Sequence, residues 1–64
     1  MTKDLRFKLA RISACLTQQG LAEAAGCRES LIARIEGGRA KPPDRETAEK
    51  IAQVLGKRPF EIGI

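Results

Sequence analysis

Apolar residues along the chain recur at helical spacing. Ala48, Ile51, Ala52 and Leu55 stand at i, i+3, i+4 and i+7, which gathers them on one face of a helix. Leu21, Ala22 and Ala25 form a shorter stripe. Leu31, Ile32 and Ile35 form another, with Arg28, Glu29, Ser30, Ala33 and Arg34 turned the other way. No stretch alternates with the period of a strand, and β-branched residues are few. Gly26, Gly37-Gly38, Pro42-Pro43, Gly56 and Pro59 cut the chain into short pieces. The pattern predicts an all-α, compact five-helix domain. The first helix is expected over about Lys3 to Ala14, the second over Gln18 to Ala25 and the third over Arg28 to Gly37. A fourth runs from an Asp44 cap to Leu55, and a short fifth begins at Pro59. Thr17 offers a hydroxyl N-cap to the second helix, and Gly26 can end it in the left-handed conformation.

The first helix has two apolar sides. Leu5, Leu9, Ile12 and Leu16 cluster on one, and Phe7, Ala10 and Ala14 on nearly the opposite one. One small core needs a single stripe, so the other must meet a further part of the fold or another molecule.

At 64 residues the chain is long enough for one domain, expected over 1–64 with a helix-turn-helix at about 17–37. Its formal net charge of +4 suits a polyanion such as nucleic acid. Phe7 and Phe60 are its aromatic residues, spaced like core positions, which argues against the base-stacking platforms of single-strand binders. No run approaches the roughly 18 apolar residues needed to span a membrane. The opening MTKDLRFK lacks the apolar region of a signal peptide, so a cytoplasmic location is expected. Cys15 and Cys27 match no metal-ligand spacing, and without histidine no metal site or cofactor is expected. Both thiols should be free in a reducing compartment. The absence of a nucleophile–base pair, a metal cluster and a phosphate-cradling glycine loop argues against an enzyme.

Two short helices joined by a tight glycine turn form a helix-turn-helix candidate, and one α-helix fits the major groove of DNA. The stretch LTQQGLAEAAGCRESLIARIEGGRAKPPDRETAEKIAQVLG resembles the Cro/CI-type, lambda-repressor-like (XRE-type) helix-turn-helix proteins. The marks are Leu16-Thr17-Gln18, Leu21-Ala22, Ala25-Gly26, Ser30, Ile32, Arg34-Ile35-Glu36, Gly38, Lys41-Pro42 and Ile51-Ala52 through Leu55-Gly56. The likeness runs from about Leu5 to Ile62.

The resemblance implies a five-helix fold in which the second and third helices read double-stranded DNA. It implies a homodimer on an operator, one half-site per protomer. Glu29, Ser30 and Arg34 match positions that face base edges. Gln18 matches a position that contacts the DNA backbone, and Arg39 and Lys41 lie in a loop that passes a phosphate strand. Arg11 and Glu36 match an inward ion pair. The family register sends Phe7, Ala10 and Ala14 inward, leaving Leu5, Leu9 and Ile12 exposed as a candidate protein interface. The rival register buries those three and exposes Phe7. Phe60 and Ile62, near the fifth helix, are the other interface candidates.

Departures from the family pattern shape the rest of the reading. Arg28 stands where a capping Ser or Thr is usual. It cannot cap, and its cationic head is free to reach a backbone phosphate. Gly20 replaces a frequent capping-box acid, at about 1 kcal/mol of helix propensity relative to Ala. Cys15 occupies a frequent glycine position and would be strained at positive φ, while Cys27 takes a core position. Glu29 has two readings. A carboxylate near a helix N-terminus is stabilised by the dipole by roughly 0.3–1 kcal/mol. It can also accept from cytosine N4 while repelling phosphate. The leading expectation is a bacterial or phage-encoded, sequence-specific repressor that lies on the nucleoid when bound. The alternative is a protein-interaction module whose partner is a toxin, activator or inhibitor, with DNA binding secondary.

Overall fold

The computed structural model describes residues 5–38 and 43–64, and within them every regular element is helical. The order is α1 (Arg6–Ser13), α2 (Gln18–Ala25), α3 (Glu29–Gly37), α4 (Arg45–Leu55) and a 3₁₀ turn (Pro59–Ile62). The expected fifth helix is thus a single 3₁₀ turn. Gly63 adopts φ 77° after it, and the N–H groups of Gly63 and Ile64 bond back to the carbonyls of Phe60 and Pro59. That closure ends the helix before a second turn can form.

Local chemistry explains most boundaries. Thr17 is extended, and its Oγ1 accepts from the Gly20 N–H at 2.9 Å, satisfying one of the unpaired donors at the start of α2. Arg28 and Asp44 hold the same extended N-cap geometry before α3 and α4, but neither side chain makes a cap bond. The expected Asp44 cap is therefore one of position alone. Glu46 lies in the first turn of α4, where the helix dipole favours a carboxylate. The start of the first helix expected at Lys3 lies outside the described residues; Leu5 takes the N-cap position.

The core joins α2, α3 and α4, with α1 and the 3₁₀ turn closing one side. Leu21, Ile32 and Ile51 are fully excluded from water, and Phe7, Ala22, Ala25, Ala52, Leu55 and Ile62 complete the cluster. Burying each large aliphatic side chain is worth about 1.5–3 kcal/mol, so these few residues carry most of the apolar stabilisation. Ala22 and Ala25 keep the α2 face small, and α2 packs on both α3 and α4.

Phe7 is 3% exposed, whereas Leu5, Leu9 and Ile12 are 44%, 57% and 52% exposed. Of the two registers for α1, the one with Phe7 inward is the one adopted. Ala10 follows it as a half-buried neighbour of the core, but Ala14 is exposed. The helix ends at Ser13, so Ala14 no longer follows the inward face. Ile62, expected as an interface residue beside Phe60, is instead 1% exposed. The 3₁₀ turn points Ile62 into the core and leaves Phe60, two residues earlier, outside at 69%.

Among the described residues Cys15 is the non-glycine residue with positive φ, at 60°, in the turn after α1. Its N–H closes that turn on the Ile12 carbonyl at 2.9 Å. A side chain in the left-handed region costs about 1–2 kcal/mol, part of which glycine returns as unfolded-chain entropy. Cys15→Gly is therefore expected to raise the unfolding free energy by about 0.5–1 kcal/mol. Urea denaturation followed by circular dichroism checks this; an unchanged or lowered midpoint contradicts the strain.

Candidate nucleic-acid interface

The turn between α2 and α3 is short because each of its residues has a defined job. Gly26 ends α2 at φ 72°, and a Cβ there would meet nothing within 4 Å. Glycine is favoured by backbone conformation, since space is open. The Cys27 N–H then bonds the Ala22 carbonyl at 2.9 Å, and Arg28 leads directly into α3. Cys27 packs half-buried against the core, and that burial pushes its thiol pKa up.

With about 100° of rotation per residue, α3 divides cleanly. Ile32 and Glu36 are buried, and Leu31 and Ile35 are half-buried. Glu29, Ser30, Ala33 and Arg34 form one exposed face, which Arg28 extends at its N-terminal end. Along its edge lies a shallow recess lined by Cys27, Arg28, Ser30, Leu31, Arg34 and Thr47. Two guanidinium-bearing side chains and two hydroxyls therefore border one concavity. Thr47, from the first turn of α4, was not singled out from the sequence. No local spacing signals it; only the packing of α4 brings it beside α3.

The two glutamates of α3 have different surroundings. Glu29 is exposed in the first turn. Glu36 is 8% exposed and is the buried charged residue among those described. Its carboxylate accepts from Arg11 Nε at 2.5 Å and from Arg11 Nη2 at 3.2 Å, a two-pronged pairing. Arg11 Nη1 donates to the Leu16 carbonyl at 2.7 Å. The Gln18 Nε2 donates to Glu36 Oε1 at 3.4 Å. One network thus joins α1, the turn after it, the first residue of α2 and the end of α3. No buried side-chain polar atom among the described residues lacks a partner.

The candidate site residues fall into distinct places. Glu29, Ser30 and Arg34 share the open face of α3, with Arg28 at its margin. Gln18 is half-buried, with its amide nitrogen directed at Glu36. A carboxylate buried at this depth has acceptor sites beyond the two filled by Arg11, which draws in the nearest neutral donor. Arg39 and Lys41 lie outside the described residues. Arg11 and Glu36 are linked inside the domain, away from the open face of α3.

A family model described as a helix-turn-helix domain matches residues 5–59. The chain belongs to this helix-turn-helix family, which is of the XRE/Cro-like kind. It is an all-α, DNA-binding helix-turn-helix domain, with α2 and α3 as the two helices and double-stranded DNA as the ligand that membership implies. Families of this type are not typically enzymatic. No curated protein and no solved structure matches the chain. Among the described residues no helix is long and apolar enough to cross a membrane.

The helix-turn-helix depends on Glu36 keeping its partner. Removing one member of a buried pair strands the other and typically costs about 3–5 kcal/mol. Arg11→Met is expected to lower the unfolding free energy by that amount, and Arg11→Met with Glu36→Leu to recover a substantial part. Urea denaturation of the three proteins checks this. A single variant within about 0.5 kcal/mol of the parent would show that the pair is not structural.

Proposed function

We propose that this helix-turn-helix domain is a sequence-specific transcription regulator that represses by occupying a palindromic operator as a dimer, with α3 in the major groove of each half-site. The observation that carries this reading is the division of α3. Ile32 and Glu36 are buried and Leu31 and Ile35 half-buried, while Arg28, Glu29, Ser30 and Arg34 are left together on an open face. Arg34 can offer two donors to guanine O6 and N7. Ser30 suits a base edge or sugar, and Arg28 suits a phosphate beside the groove. Gln18 adds a backbone contact through whatever part of its amide Glu36 leaves available, and Arg39 and Lys41 extend the phosphate contacts. Repression by simple blockade is the economical mechanism for a domain of this size. The exposed Phe60, on the 3₁₀ turn, is our candidate for the dimer contact.

A second reading is supported by the exposed Leu5, Leu9 and Ile12. In it the domain acts chiefly by binding another protein through α1, and DNA binding is secondary. Salt dependence separates the two, since each phosphate contact contributes about −0.9 to the slope of log K against log salt.

Selection of bound sites from random duplex DNA tests the proposal. Recovery of a two-fold symmetric sequence, with half-sites about one helical turn apart, is expected. Sequence-blind recovery with a shallow salt slope would favour the second reading. Within a selected site, Arg34→Ala is expected to cost about 1–3 kcal/mol and to relax preference at one base position. Glu29→Gln is expected to raise affinity for random DNA and to change preference at one position. A Glu29→Gln protein with unchanged specificity would leave Glu29 only its role at the helix N-terminus.

A further inference from the structure

We propose that the recess between α3 and α4 is a phosphate site for the DNA backbone, in which Arg28 and Thr47 hold one phosphate together. The inference rests on the reading of α3 as the helix that enters the major groove. It adds a contact residue, Thr47, that lies outside the helix-turn-helix. Arg28, Ser30, Arg34 and Thr47 border the recess, Cys27 and Leu31 complete its lining, and no carboxylate is among them. Glu29, Asp44 and Glu46 are the acids nearest in sequence to Arg28 and Thr47, and none of them lines it. Glu46 faces Lys50 at 3.3 Å. Among the described residues the side chains of Arg28 and Arg34 have no ion-pair or hydrogen-bond partner, and neither has the Thr47 hydroxyl. Arg28 stands at the N-cap of α3 without making a cap bond, so its guanidinium is not spent on the helix end.

These donors fit a phosphate. A guanidinium is a planar fork that matches two phosphate oxygens, and a hydroxyl supplies one further donor. Two cations bordering one concavity repel each other, and an anion seated there relieves the repulsion. Arg28 precedes Arg34 by six residues, about 9 Å along the helix axis. Arg28 therefore meets the backbone at the edge of the groove, while Arg34 stays available to a base. The pairing is particular to this chain, because Arg28 occupies the position where the family pattern has a capping Ser or Thr. Thr47 changes what the contact can do. It belongs to α4, which packs against α2 as part of the body of the domain. A phosphate gripped from both the start of α3 and α4 ties the strand to two elements. That limits the roll of α3 in the groove, which a contact from α3 alone leaves open.

The test uses the full chain and the most enriched duplex from the site selection, with methylphosphonate placed singly at each backbone position. Thr47→Val keeps the side-chain shape and removes the hydroxyl. It is expected to weaken binding about tenfold with base preferences and urea midpoint unchanged. Thr47→Ser, which restores the hydroxyl, is expected to bind like the parent. Arg28→Met is expected to reduce the salt slope by about 0.9, whereas Thr47→Val leaves the slope as it was, since a neutral hydroxyl displaces no counterion. One methylphosphonate position is expected to weaken the parent and to add little to the loss in either variant, because all three changes remove the same contact. Unchanged duplex binding by Thr47→Val would overturn this proposal alone. So would a loss that Thr47→Ser fails to restore, or different sensitive phosphates for the two variants. Saturable binding of inorganic phosphate in the recess, with duplex binding untouched by Thr47→Val, would overturn it in favour of a free-anion site. A parent chain that binds no duplex would overturn it together with the groove reading of α3.

Discussion

One buried carboxylate sets the geometry on which the helix-turn-helix depends. Glu36 sits at the end of α3 and accepts from Arg11 of α1 and from Gln18 at the start of α2. Apolar burial holds the helices together but is non-directional. A two-pronged guanidinium–carboxylate pair is directional, and it tolerates little rotation of α3 about its axis. Arg11 also holds the Leu16 carbonyl, so the same guanidinium ties down the turn that delivers the chain to α2. With Glu36 held inward, Ile32, one turn earlier, is directed into the core, and the opposite residues of α3 are left in water. The open face is therefore a consequence of which residues the other side must satisfy.

That arrangement draws on a small core, and the turns have little freedom. The helix ends at Gly26, Gly38 and Gly56 all use the left-handed conformation. Cys15 uses it too, without the freedom of glycine, in the turn that precedes the Leu16 carbonyl held by Arg11. The strained residue and the hydrogen-bonded carbonyl are adjacent. Tertiary bonding thus favours a local conformation that the side chain alone disfavours.

Much of this was legible in the sequence, and the misses share a cause. The single apolar face of α4 and the glycine stops are local, and they reappear within a residue or two of the expected bounds. Two apolar stripes on α1 left its register open by periodicity alone. The partner for Arg11 lies 25 residues away, and only the family resemblance paired it with Glu36. Ile62 was misplaced because helical spacing does not describe a 3₁₀ turn, which brings Ile62 inside while Phe60 faces out. Thr47 and the inward Gln18 amide depend on contacts between elements distant in sequence, where no pattern of spacing reports them.

The exposed glutamate of α3 gains meaning from its buried counterpart. Glu36 is neutralised inside the domain, so it subtracts little from the potential that an approaching duplex meets. Glu29 is exposed in the first turn, close in sequence to Arg28 and on the same open face as Arg34. Stabilisation by the helix dipole is present whether or not DNA is bound, so it contributes to folding and cancels from the binding equilibrium. Repulsion between Glu29 and phosphates arises only on approach, and an acceptor facing a base edge is favourable only where a donor waits. The two roles therefore act on different equilibria and can coexist in one side chain. A carboxylate placed among arginines lowers affinity for DNA in general, and whatever it gains at one base is gained against a reduced background. That is a route to selectivity open to a small domain with few side chains to spend on reading.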